Sequence, residues 1–152
     1  MNRAFKILVI VAALLTVVGW SAETWAGGTA VVSRSSDDKL ITWACTSASD
    51  DGSLSGTGVQ SIDIDGYIVQ VEVIPGSVTP TAGYDVDLNL LVNGIVEDLT
   101  GTLFDNCSTS TITRETPVTS QNGVYKRVRG SLYPSAASCG NSKTFYIRVW
   151  LQ

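Results

Sequence analysis

The stretch Tyr84-Asp85-Val86-Asp87-Leu88-Asn89-Leu90-Leu91-Val92-Asn93-Gly94-Ile95-Val96-Glu97-Asp98-Leu99 decides the fold. Tyr84, Val86, Leu88, Leu90 and Val92 occupy every second position, with Asp85, Asp87 and Asn89 between them. Successive side chains of an extended chain point to opposite faces, so this pattern makes a strand with one oily and one wet face. Asn93-Gly94 follows. A two-residue hairpin turn needs positive φ at both residues, which this pair adopts cheaply, so Ile95 to Leu99 is expected to return antiparallel. Strands of a parallel sheet are covered on both faces and read as unbroken apolar runs, so the wet face excludes one.

The same alternation recurs on either side. Leu40 to Thr46 places Ile41, Trp43 and Cys45 on one face, with Trp43 expected in the core. Lys143 to Leu151 separates Phe145, Ile147, Val149 and Leu151 from Tyr146, Arg148 and Trp150. Thr29 to Ser33 is expected to form a short first strand. Val59 to Ile64 and Tyr67 to Ile74 are read as two strands joined by a hairpin at Asp65-Gly66. Ser47 to Gly58, rich in Ser, Gly and Asp, is expected to be a flexible loop with little to bury. A short edge strand is expected around Pro117, at Thr116 to Thr119. Another runs from Gly123 through Val124, Val128 and Leu132 and is closed by Pro134. These are about seven or eight strands, with turns between neighbours. The expected fold is all-β: an antiparallel β-sandwich, immunoglobulin-like or jelly-roll-like.

The first 26 residues read as a secretory signal helix. Arg3 and Lys6 make a positive start, Ile7 to Trp20 is an apolar run, and Thr24-Trp25-Ala26 offers a small-x-small cleavage site. The run is short for a bilayer, which takes about 20 apolar residues. Residues 27–152 would then form one β-sandwich domain. Of the 152 residues, 44% are hydrophobic and 16% charged, a balance that suits a packed core rather than a disordered polymer. The net charge of −4 argues against nucleic acid and against attraction to anionic membranes. There is no histidine, which removes Ser-His-Asp and Cys-His catalysis and every histidine metal site. No enzymatic activity, metal or cofactor is expected.

Cys45 alternates with Ile41 and Trp43 and is expected to point inward. Cys107 and Cys139 sit in polar, turn-like settings, Asp105-Asn106-Cys107-Ser108 and Ser138-Cys139-Gly140-Asn141. A Cys107–Cys139 disulfide is therefore expected in an oxidising compartment, stabilising by about 3–4 kcal/mol on the chain-entropy account. Three reduced thiols are the alternative. Asp63 with Asp65 and Asp85 with Asp87 are same-side carboxylate pairs. They make a solvated face, or a Ca²⁺ or acid-pair site if their strands adjoin. Lys126, Arg127 and Arg129 form the basic cluster. Tyr146 and Trp150, on the wet face of the last strand, suit sugar stacking or a subunit contact. Asn106-Cys107-Ser108 matches a glycosylation sequon.

The stretch Pro75-Gly76-Ser77-Val78-Thr79-Pro80-Thr81-Ala82-Gly83-Tyr84-Asp85-Val86-Asp87-Leu88 resembles a group of small tailed-phage and prophage structural proteins, in which a PG-x-x-x-PT segment precedes a Tyr-Asp strand. Ile41-Thr42-Trp43, Asp65-Gly66-Tyr67-Ile68-Val69 and Cys139-Gly140-Asn141-Ser142-Lys143 are similar to it too. The resemblance implies a compact β-sandwich packed against other subunits on a particle or fibre, and it brings no catalytic residue. The function expected is an exported, non-enzymatic structural or interaction protein whose partners are copies of itself or a larger assembly. A secreted glycan- or Ca²⁺-dependent binding module is the alternative. It would use Tyr146 and Trp150 as platform and Asp85 and Asp87 as hydroxyl or calcium contacts. A secreted location in the periplasm, outside the cell or on its surface is expected, with a virion as the alternative.

Overall fold

The structure, a computed structural model, describes residues 27–117 and 125–152. The signal-peptide expectation for 1–26 lies outside them, as do Val118, Thr119, Gly123 and Val124. The described residues form eight strands: β1 (Thr29–Arg34), β2 (Leu40–Thr46), β3 (Ile62–Pro75), β4 (Asp85–Val92), β5 (Ile95–Asp98), β6 (Thr113–Glu115), β7 (Lys126–Ala137) and β8 (Thr144–Leu151). All pairings between them are antiparallel. The fold is all-β, as the alternation requires.

The strands make one sheet, in the order β1-β2-β8-β3-β7-β4-β5, with β6 also on β3. This sheet curls over itself. Its inner faces meet in one core, in which Phe145, Ile147 and Val149 of β8 join Val86, Leu88 and Leu90 of β4. The Tyr84 and Phe145 rings lie 5.6 Å apart, tilted by 55°, an arrangement favoured by aromatic quadrupoles. Trp43 is fully buried, and its indole N–H donates to the Gln60 carbonyl at 2.9 Å.

Strand β3 makes the bend, and it corrects the sequence reading. Asp65-Gly66 does not turn. The chain runs straight through it, with Asp65 opposite Arg129 and Gly66 opposite Val128. A turn-forming pair turns only when its flanks need each other as partners. Here the first half of β3 is paired by β7 and the second half by β8. Gly66 instead admits the Gln152 carbonyl, which would stand 3.3 Å from a Cβ. A bulge between Ile68 and Gln70 then shifts the phase. Ile64 and Ile68 point inward before it, Val71 and Val73 after it. One extra residue flips every later side chain to the other face, which lets one strand serve both halves of the curled sheet.

Three further expectations change. Ser47 to Gly58 is not a loose loop, because Ser47, Ala48 and Leu54 are buried. Leu54 and Ala136 exchange backbone hydrogen bonds of 2.9 and 3.1 Å, which seat the Leu54 side chain in the core. The edge strand expected around Pro117 is not formed at Thr116 and Pro117; a short strand stands just before them, at Thr113–Glu115, where it pairs with Val71–Val73 of β3. Finally, β7 continues through Pro134 to Ala137. Pro134 faces Leu88 of β4, whose N–H and carbonyl both turn away to Thr100 and Leu99, so the Pro134 nitrogen points to the side that β3 has left and its missing N–H interrupts no ladder.

Candidate interaction surface

The β4–β5 hairpin is built as the sequence implies. Val92 faces Ile95 and Leu91 faces Val96 across Asn93-Gly94, whose φ values of 50° and 81° give the primed turn. The hairpin overhangs the core rather than covering it. Ile95 is 72% exposed, Val96 53%, Leu91 39% and Val92 37%. Leu91 and Val96 lie on one face and Val92 and Ile95 on the other, so both faces of the tip are aliphatic. These side chains leave apolar surface in water on either side of the tip, and an edge strand is where pairing with another chain begins.

The base of the hairpin is pinned by charge and by glycine. Lys126 Nζ lies 2.6 Å from Glu97 Oε1. Asp98 Oδ1 accepts the Thr100 N–H at 2.9 Å and the Thr100 hydroxyl at 3.0 Å. A groove beside the tip is lined by Leu91, Val92, Asp63, Arg129 and Gly130. A Cβ at Gly130 would stand 2.6 Å from the Leu91 carbonyl, and its φ of +155° is disfavoured for other residues. The basic cluster borders this groove. Arg127 and Arg129 both reach Asp65, at 3.4 and 3.6 Å, in solvent-exposed pairs. Such pairs contribute little stability and mainly shape the local potential.

The other candidate residues are placed apart. Tyr146 is exposed and Trp150 half-buried on the outer face of β8, with Arg148 between them. Four residues of strand span roughly 13 Å, so one sugar ring cannot stack on both. Asp85 and Asp87 lie on β4, three strands away along the curled sheet. The outer faces of β8 and β4 look in opposite directions because their inner faces share one core. The four do not form one site. Nor do the two Asp pairs gather: Asp65 is held by the arginines, while Asp85 Oδ1 accepts the Asn106 N–H at 2.9 Å. Asp87 accepts the Ser135 hydroxyl at 3.2 Å. Burial pushes the Asp87 carboxyl above its usual range, and the Asp98 carboxylate adds to this. Among the described residues, no three acidic or cysteine side chains are placed to hold a metal ion.

All three cysteines are buried free thiols, so the Cys107–Cys139 bridge is not formed in this structure. Cys107 and Cys139 also leave the polar settings their neighbours suggest. Cys107 bridges to Tyr84, and Cys139 is tied on one side to Gly52 and on the other to Thr81. These backbone bonds turn both side chains into the core. Burial pushes Cys107 up to about 11 and Cys139 up to about 12, the second also through Cys107. Burial raises Cys45 as well, with Cys139 adding to it. The Tyr84 hydroxyl is buried beside them without a hydrogen-bond partner among the described residues. Thiols held so far above neutral pH are weak nucleophiles.

Alternation alone places Val92 on the oily face of its strand and misses the exposed hairpin tip. The signal was present: Leu90-Leu91-Val92 and Ile95-Val96 break the alternation, which puts oily side chains on both faces. Glu72 was missed too. It is buried on β3, paired with Arg114 and with Arg148 opposite it. Comparison of the chain with protein-family models, with curated proteins and with solved structures returned no match in any of the three.

Proposed function

We propose that the protein is an exported, non-enzymatic β-sandwich subunit that builds or decorates a particle, a fibre or a cell surface. The aliphatic β4–β5 hairpin, standing out from a sheet edge beside a charged groove, carries this reading. Apolar side chains on both faces of an edge hairpin are costly in water and gain most when another protein covers them. The leader-like first 26 residues support export. The likeness of Pro75 to Leu88 to small phage structural proteins supports a subunit role.

The test is size-exclusion chromatography with light scattering, joined to negative-stain microscopy of the secreting cells and their medium. Recovery in a complex, particle or filament is expected. A protein that stays monomeric and joins no particle, filament or cell surface overturns the proposal.

A further inference from the structure

We infer that the outer edge of β5 pairs with the same edge of a second copy, antiparallel, with Val96 facing Val96 across a two-fold axis. This rests on the subunit reading above and names one of its contacts. Leu99 donates its N–H to the Leu88 carbonyl at 2.8 Å. Backbone groups of an antiparallel strand alternate between its two edges. Ile95, Glu97 and Leu99 therefore turn theirs toward β4, and Val96 and Asp98 turn theirs outward. Strand β5 ends the sheet order, and no described residue pairs with that edge.

Charge and register select the occupant. In a two-fold antiparallel pair, facing residues must lie on the same side of the sheet. Four registers satisfy this within the strand. Centring on Glu97 or on Asp98 sets two like carboxylates against each other, which is destabilising. Centring on Ile95 leaves Asp98 and most of the edge unpaired. Centring on Val96 uses the whole strand: Val96 meets Val96, Ile95 meets Glu97, and Asp98 meets Gly94. No like charges face each other, and each Glu97 already carries its Lys126. The exposed Ile95 and Val96 are covered in the same step. The opposite edge of the sheet is a poorer partner. There the Val32 N–H donates to Gln60 Oε1, and the Ala30 carbonyl accepts from the Gln60 N–H.

Two variants of the full chain test the seam. Val96 faces its symmetry mate at a hydrogen-bonded position, where Cα atoms lie about 5.5 Å apart, inside the range a disulfide spans. Val96→Cys treated with copper–phenanthroline should give a covalent dimer. The two thiols lose two protons and two electrons to the oxidant as the S–S bond forms. Ile95→Cys, which faces Glu97, is the control and should cross-link several times less. The buried native thiols should stay silent. Val96→Pro removes an N–H that the chain's own ladder does not use, so the fold should keep its melting midpoint while dimerisation in sedimentation velocity is lost. Equal cross-linking of the two cysteine variants overturns the seam, as does a folded Val96→Pro protein that still dimerises. An assembly that ignores all three changes overturns the seam alone. A protein that joins nothing overturns the subunit reading with it.

Discussion

Replacing Leu54 by Ala separates a packed crossover from a flexible loop. Leu54 is fully buried, and its backbone is held to Ala136 by two hydrogen bonds that the substitution leaves in place. The change therefore removes side-chain burial and little else. Truncating a buried leucine costs the transfer free energy of the lost atoms plus the cavity they leave, about 2–5 kcal/mol. The main chain around Leu54 is anchored, so the site collapses poorly and a loss near ~3 kcal/mol is expected. For a domain of this size, a kilocalorie shifts the melting midpoint by roughly 4 °C, giving a fall of about 12 °C. Urea unfolding followed by Trp fluorescence measures the loss directly, with an unchanged m-value as the check that both proteins unfold alike. If Ser47 to Gly58 were a loose loop, the loss would stay under about 0.5 kcal/mol, the range of ordinary surface changes. A value that small refutes the packed crossover.

Three other perturbations probe the thiols, the Asp87 carboxyl and the close approach at Gly130. The native thiols should not react with a disulfide reagent at pH 8, and three should titrate once the chain is unfolded; a count of one would mean that one pair had bridged. The raised Asp87 carboxyl holds its proton more tightly in the folded state, so its contribution to stability falls as pH rises through the carboxylate range. Asp87→Asn should therefore melt above the parent at pH 7, with the gain vanishing below about pH 4. A gain that persists in acid would rule out charge as its source. Gly130→Ala forces a Cβ against the Leu91 carbonyl at an unfavourable φ and should cost about 2 kcal/mol or more in urea unfolding. An unaffected midpoint would show that β4 and β7 do not approach so closely.

The sequence alone is enough for the strands and for which face of most of them is oily. Ile41-Trp43-Cys45, Val86-Leu88-Leu90 and Phe145-Ile147-Val149 all point inward as their alternation requires. The two-fold period is a local property of an extended backbone and needs no knowledge of partners. The Asn93-Gly94 turn is local for the same reason, since the two strands it joins pair with each other. The path of β3 was not legible. Whether Asp65-Gly66 turns depends on β7 and β8, which come from the far end of the chain and pair with the two halves of β3. Leu54 looked solitary among small polar residues, and only the closing of the curled sheet shows that it fills the core. Cys107 and Cys139 look polar by their neighbours and are buried by backbone bonds to Tyr84, Gly52 and Thr81. Among the described residues the β5 edge stands open for a tertiary reason too: an outward N–H lacks a partner there only because the sheet order ends at β5, and no local pattern says where a sheet ends.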